Sequence, residues 1–285
     1  MKKNVLILGA NGFVGNILYR NFIGNFKVIP VIRRKKKNYV YLDFKNFDES
    51  FFKIIKKYKP SFIINCIGSY ENDLNIDIYN NCAISELILN FVIKKKIKTK
   101  IILIGSASEY GTKLNSYFAK ENDVLRGKTK YSISKIAQYN IFNIYKNNKN
   151  LNVIYLRVFN INSNNSPQKL FIGNLNKQIR EFKKNKIKKI ILKNINSFRD
   201  FIEIPNLTFQ INLILNYGKS GEVYNIGTGI ETEIKTILKE KLTKNNIDMK
   251  HVLFNNNFRR DYLVANTDKV KALELKLNEK TSNYS

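Results

Sequence analysis

The chain holds only two cysteines and one histidine in its 285 residues. Cys66 and Cys82 supply no disulfide framework and no metal-ligand spacing. His251 alone is too little for a histidine-based metal site or a serine–histidine–aspartate triad, so no metal is expected. Long apolar runs are also missing, since no stretch approaches the roughly 20 residues that a bilayer crossing needs. The first apolar run, Val5–Leu8, is too short, and too soon followed by Gly9, to be the core of a secretion signal. The sequence has no internal repeat and no linker long enough to separate two independent domains. Acidic residues are few: 22 Asp and Glu stand against 50 Lys and Arg, a formal net charge of +28. None of the acidic residues falls between Met1 and Leu42. These absences together point to a cytoplasmic protein of a reducing compartment with no membrane partner.

Such a positive balance invites nucleic-acid binding. The placement of the charge argues against it. The basic runs Arg33-Arg34-Lys35-Lys36-Lys37, Lys94-Lys95-Lys96 and Lys183-Lys184 fall in different expected elements, form no stripe and accompany no base-reading motif. Lys, Asn and Ile are abundant together, which reads as a compositional drift over every surface. The same surface would still attract an anionic cofactor or a diphosphate.

Hydrophobic residues make up 44% of the chain, enough for a sizeable core. Short apolar runs alternate with helical spacing through the first half. Strands are expected at Val5–Leu8, Val28–Ile32, Val40–Leu42, Ser61–Ile67, Ile101–Ile104 and Val153–Val158. Helices are expected at Phe13–Phe22, Glu49–Tyr58, Tyr79–Lys95 and Lys130–Tyr145. This alternation, with continuously apolar strands, predicts an α/β fold with a doubly wound parallel sheet covered on both faces. The rhythm changes near residue 160. An Asn/Ser-rich loop at Asn160–Pro167 leads into helices at Gly173–Phe182, Leu207–Tyr217 and Thr232–Leu242 and strands at Ile187–Leu192 and Val223–Ile226. Residues 1–160 are therefore read as a dinucleotide-binding domain and 161–285 as a smaller α/β substrate lobe, with segments such as 200–226 able to return to the first core.

Gly9, Gly12 and Gly15, with Asn11, Phe13 and Val14 between them, connect the first strand to the first helix. Glycines there let the backbone curl tightly and approach a pyrophosphate, to which the helix N-terminus offers N–H groups and a positive dipole end. The spacing is G-x-x-G-x-x-G, not the G-x-G-x-x-G of the general fingerprint. Arg33 and Arg34 follow the second strand, where an acidic residue would bind the ribose hydroxyl of NAD and an arginine suits the 2′-phosphate of NADP. NADP (NADPH) is therefore the preferred cofactor and NAD the alternative. Asp43 and Phe44, after the third strand, are placed to flank the adenine; Asp43 is equally suited to capping a helix.

Tyr131 and Lys135 are spaced i, i+4 and share one helix face. A nearby ammonium favours phenolate, so Lys135 is expected to draw the tyrosine pKa down from about 10 and ready it for proton exchange. Ser106 stands at the carboxyl end of the strand Ile101–Ile104, where parallel sheets bind ligands. Its hydroxyl would hold a substrate oxygen while Tyr131 exchanges the proton.

The glycine turn, Ser106 and Tyr131-x-x-x-Lys135, in this order and spacing, resemble the extended short-chain dehydrogenase/reductases, the NAD-dependent epimerase/dehydratase family. Asn81 resembles its helix asparagine, Leu156-Arg157-Val158-Phe159-Asn160 its L-R-x-F-N stretch, Arg199-Asp200-Phe201-Ile202 its R-D-F-I/V segment and Tyr224-Asn225-Ile226-Gly227 its Y-N-I/V-G strand. Arg260-Asp261 is similar to the late region where an arginine commonly meets the nucleotide diphosphate. The resemblance implies a Rossmann-type first lobe for the cofactor, a second lobe for a nucleoside-diphosphate sugar, and a homodimer. It assigns Ser106, Tyr131 and Lys135 to catalysis, Asn81, Tyr131 and Lys135 also to the cofactor, and Ser108, Asn160, Arg199 and Arg260 to the substrate. Dehydratases of the family carry a glutamate base where this chain has Ser108, and Glu109 is one residue out of place, which argues against dehydration. Gly105–Gly111 resembles the G-S-x-x-E-Y-G of GDP-4-keto-6-deoxymannose reductases. The resemblance therefore implies NADPH-dependent reduction at C4 of a 4-keto-6-deoxyhexose, with an NAD-dependent epimerase as the alternative.

Overall fold

The computed structural model describes residues 2–255 and 260–282. The first half follows the expected alternation: β1 (Asn4–Leu8), α1 (Phe13–Phe22), β2 (Lys27–Ile32), β3 (Val40–Tyr41), α2 (Phe47–Tyr58), β4 (Phe62–Asn65), α3 (Leu74–Ile78), α4 (Ile84–Lys94), β5 (Lys100–Ser106), β6 (Phe118–Ala119), α5 (Lys130–Tyr145) and β7 (Asn152–Val158). Then come β8 (Asn160–Asn162), α6 (Phe171–Lys183), β9 (Ile190–Lys193), β10 (Phe198–Arg199), β11 (Phe201–Glu203), α7 (Ile204–Tyr217) and β12 (Val223–Ile226). The chain continues through β13 (Thr232–Glu233), α8 (Ile234–Thr243), β14 (Val252–Asn255), β15 (Tyr262–Ala265) and α9 (Asp268–Ser282).

Seven strands form one parallel sheet in the order β12-β7-β5-β4-β1-β2-β3. The order reverses between β1 and β4, and a crevice opens at such a switch point beyond the carboxyl ends of the strands. Successive strand residues face opposite sides. Val5 and Ile7 of β1 join a core with Leu18, Phe22, Ile211 and Ile214 of α1 and α7. Leu6 and Leu8 join the opposite one, with Phe51, Ile88, Leu89 and Phe142 of α2, α4 and α5. Both faces are covered, which is why these strands read as unbroken apolar runs. The strand β12 and the helix α7 come from beyond residue 160 yet extend this sheet and its core. A separate core of α6, α8, β9 and β14, including Leu175, Ile190, Leu238 and Val252, builds the smaller lobe.

Four local expectations are corrected. The helix expected at Tyr79–Lys95 begins earlier, at Leu74, where Asp73 caps it by accepting from Asn75 N and Ile76 N, and it widens into a π-turn at Tyr79–Ala83. The run Leu74–Lys94 is thus 21 residues of helix, long and apolar enough by composition to cross a membrane, contrary to the reading of the sequence. Half of it is buried within the protein, among α4 residues such as Ile84, Ile88, Leu89 and Val92. The loop expected at Asn160–Pro167 opens with β8, which pairs in parallel with β11. The helix expected from Thr232 starts at Ile234, because Thr232 and Glu233 pair with Arg199 and Phe198.

The turn after β1 needs its glycines for two different reasons. Gly9 has φ +75, a conformation that side chains disfavour. A Cβ on Gly15 would lie 2.3 Å from the Gly9 carbonyl oxygen, and one on Gly12 would lie 3.2 Å from it. Gly15→Ala should therefore destabilise the protein by ~1–3 kcal/mol through overpacking, and Gly12→Ala by less; urea denaturation of the two variants checks the order.

Candidate active site

Parallel strands direct their carboxyl ends to one edge of the sheet, and the chemistry-bearing residues gather there. A cleft of about 1210 Å³ is lined by Gly12, Phe13 and Val14 from the glycine turn, Cys66 to Glu71 after β4, Ser106 and Ser108 after β5, and Tyr131 and Lys135 of α5. Its far wall comes from Asn160, Lys169, Leu170 and Arg199. The Ser106 hydroxyl lies 2.9 Å from the Ser108 hydroxyl and close enough to the Tyr131 phenol to favour its ionised form. Three hydroxyls of the expected site thus converge. Thr129 caps α5 in a reciprocal bond with Ser132, which fixes the turn carrying Tyr131.

Lys135 is buried one turn along α5, where it lines the cleft and has two protein acceptors. Nζ donates to the Ile104 carbonyl at 2.8 Å and to Gln138 Oε1 at 2.9 Å. Burial draws the ammonium down to about 8, against the opposing pull of Glu109, Cys66 and Asp77. Burial likewise pushes the Tyr131 phenol up to about 12, with Ser106 pulling the other way. The expectation that Lys135 lowers the tyrosine is therefore corrected. Desolvation of the phenolate outweighs a cation committed to a backbone carbonyl, so Tyr131 is a neutral phenol at neutral pH. The Cys66 thiol, also on the cleft wall, is pushed up to about 12 by burial and stays protonated.

Glu109 turns away from the cleft. Its carboxylate accepts from the fully buried Arg157 Nε at 2.7 Å and Tyr155 hydroxyl at 2.8 Å, and from the half-buried Ser106 N–H at 2.7 Å. Arg157 also donates to the Tyr110 hydroxyl and the Glu121 carbonyl, and its guanidinium packs on the Tyr139 ring. Burial pushes the Glu109 carboxyl upward and Arg157 pulls it back. With its oxygens so engaged, Glu109 is a support for Ser106 and has no route to a substrate proton.

The cofactor residues divide into two groups. Gly12 stands at the cap position of α1 and offers no side-chain cap, so the first N–H groups of the helix are left to an anion at the sheet's switch point. That donor set fits a dinucleotide pyrophosphate. Gly9 and Gly15 shape the turn without lining the cleft, and Asn11 is exposed beside it. Arg33 and Arg34 are both exposed after β2 and, among the described residues, form no salt bridge. Asp43 accepts from Lys45 N and Phe44 packs on Phe47, so both shape the approach to α2, whose own cap position is Asn46. Asn81 is fully buried in the π-turn. It accepts from Ser69 N and donates to Ser69 O and to Ser134 Oγ, tying β4's exit loop to α5.

Of the substrate residues, Ser108, Asn160 and Arg199 line the cleft and Arg260 does not. Arg199 is held by a two-pronged pair with Asp261 at 3.0 and 3.2 Å. Its neighbour Asp200 is buried and accepts from Thr228, Gly229 and Ala265, which pins the segment. Arg260 is exposed with its guanidinium over Phe198. Sequence reasoning missed Tyr70, Glu71, Arg126, Lys128 and Lys169 on the cleft wall, and Asp77 behind it. The loop residues carry no motif. Asp77 did leave a trace, as a lone charge in an apolar helix.

A parallel sheet with an uncapped glycine turn at its switch point, and a serine–tyrosine–lysine group in the adjoining cleft, defines a dinucleotide-dependent oxidoreductase of the short-chain dehydrogenase class. The sequence model of the NAD dependent epimerase/dehydratase family matches residues 5–227, and the chain belongs to that family. It is 26% identical over 255 residues to the GDP-6-deoxy-D-talose 4-dehydrogenase of Aggregatibacter actinomycetemcomitans, covering 82% of this chain and 78% of that protein. Its fold is that of the dTDP-glucose 4,6-dehydratase of Bacillus anthracis solved with NAD (TM-score 0.80, 21% identity, 95% of this chain and 90% of that one). It is equally that of RMD from Pseudomonas aeruginosa solved with NADPH (TM-score 0.80, 17% identity, 95% and 92%). The UDP-glucose 4-epimerase of Thermotoga maritima, solved with UDP-glucose, is as similar (TM-score 0.80, 18% identity, 95% and 92%).

Glu109→Ala leaves the Arg157 guanidinium buried without its counter-charge, which should cost ~3–5 kcal/mol. Equilibrium urea unfolding of the variant against the wild type measures this.

Proposed function

We propose that the protein reduces the C4 keto group of a nucleoside-diphosphate 4-keto-6-deoxyhexose with NADPH. The observation that carries the reading is the hydroxyl cluster of Ser106, Ser108 and Tyr131, with Glu109 committed to Arg157. Such a cleft can hold a carbonyl and protonate it, and the carboxylate on its wall, Glu71, is engaged by Lys169. The sequence relative named a 4-dehydrogenase of a GDP-linked 6-deoxyhexose supports redox chemistry at C4. Exposed Arg33 and Arg34 after β2 support NADPH over NADH.

When bound, reduced nicotinamide supplies the hydride and is itself oxidised as the carbonyl carbon is reduced. Ser106 Oγ orients the carbonyl oxygen. Tyr131 Oη delivers its proton to that oxygen as it becomes a hydroxyl, and solvent restores the phenol. Lys135 holds the nicotinamide ribose. Arg199, with Arg126 and Lys169 on the same cleft wall, favours the diphosphate, and Asn160 meets the sugar. The protein acts in the cytoplasm as a homodimer, for which the exposed Tyr79, Ile133 and Ile144 on the helical face offer apolar surface.

The test offers NADPH with GDP-, CDP-, dTDP- and UDP-linked 4-keto-6-deoxyhexoses to the purified protein. Loss of reduced nicotinamide absorbance with one of them is expected. Tightly retained NAD, with sugar isomerised and no net NADPH oxidation, would replace this reading by the epimerase. Tyr131→Phe should lower turnover by about 10²–10⁴-fold while leaving NADPH affinity unchanged. Lys135 is cationic below about 8 and neutral above it. NADPH affinity should therefore fall as pH rises through that value, and Lys135→Met should remove the dependence; a fluorescence titration of NADPH at several pH values decides.

A further inference from the structure

The segment Ser69–Glu71 lines the cleft and is pinned from two elements. From α3, the fully buried Asp77 carboxylate accepts from Ser69 Oγ at 2.7 Å and from Glu71 N at 3.0 Å. From the loop before α6, Lys169 Nζ donates to the Tyr70 carbonyl at 2.9 Å and to Glu71 Oε2 at 2.6 Å. Burying a carboxylate is costly unless its hydrogen bonds are used. The two bonds that Asp77 accepts flank a single residue, Tyr70. The Tyr70 ring meets the Tyr131 ring edge-on, with centroids 4.9 Å apart and planes at 78°. That is a favoured aromatic geometry. Tyr70 nevertheless stays 39% exposed on the cleft wall.

We propose that Tyr70 is a positioning residue for the C4 redox reaction: its ring braces the Tyr131 phenol beside Ser106, and its exposed edge is the wall against which the hexose lies. The inference rests on the reading of Tyr131 as proton donor. A phenol that must meet one carbonyl oxygen depends on placement within a fraction of an ångström. Ser106 stands beside the Tyr131 hydroxyl, and Tyr70 fixes the plane of its ring. The Lys169–Glu71 pair is half-exposed, so it holds the segment weakly and can part to admit a nucleotide sugar.

The test compares Tyr70→Ala, Tyr70→Phe and Lys169→Ala with the wild type and Tyr131→Phe, over the four classes of 4-keto sugar and with NADPH affinity measured separately. Tyr70→Ala should lower kcat by about 10- to 100-fold and raise the sugar KM, with NADPH affinity unchanged. Tyr70→Phe, which keeps the ring, should behave as the wild type. Lys169→Ala, at an exposed position, should raise the sugar KM and leave NADPH affinity alone. Undiminished turnover by Tyr70→Ala of a sugar that the wild type reduces overturns the Tyr70 assignment alone. So does a Tyr70→Ala protein that loses NADPH affinity in step with turnover, since that marks a merely structural role. A wild type inert toward all four sugar classes overturns the C4 reading and the inference together.

Discussion

The buried pair of Glu109 and Arg157 is the constraint on which the site depends. Charges removed from water are tolerated only with partners in close geometry. Here one carboxylate gathers a guanidinium from β7, a phenol from β7 and a backbone N–H from the end of β5. The last of these belongs to Ser106. The ion pair therefore sets where β5 stops and how its serine enters the cleft, while Gly105 leaves room for Tyr155, whose ring a Cβ there would meet at 2.3 Å. The same commitment removes Glu109 from chemistry. A carboxylate one residue from a dehydratase base position becomes a foundation stone, and hydroxyls are left to face the ligand.

A second network sets the electrostatics. Lys135, Gln138, Ser85, Asn65 and Asn81 are linked by hydrogen bonds beneath the first turns of α5. The π-turn belongs to this network, because Asn81 must reach both Ser69 and Ser134. Widening the helix by one residue places its side chain between the exit loop of β4 and α5, and π-turns concentrate where such local demands outweigh regular bonding. The price in regularity is small beside the gain: the loop carrying Tyr70 and the helix carrying Tyr131 share one anchor.

Much of the fold was legible because the sheet is covered on both sides. The bounds of α1, α5 and β12 coincide with the periodicity of Phe13–Phe22, Lys130–Tyr145 and Val223–Ile226. The start of α3 was missed because Asp77 interrupts the apolar spacing, although Asp73 offered a capping signal. The π-turn could not be read, since its cause lies in residues 12 and 53 positions away from Asn81. Within the site, motif and spacing located Ser106, Tyr131 and Lys135 in one cleft. They could not say where the ammonium points, and so the direction of the Tyr131 shift came out reversed. Tyr70 and Lys169 sit on connecting segments whose meeting depends on how the smaller lobe lies against the larger.

The outer strands of the large sheet carry a different consequence. At one margin β3 presents two residues beside the lysines of Lys35-Lys36-Lys37. At the other, β12 presents four residues, and Lys269 from α9 already donates to the Val223 carbonyl. Neither margin offers a long row of backbone groups to a foreign strand, and the clustered cations repel one. The large sheet is thereby guarded at both margins against taking up a foreign strand.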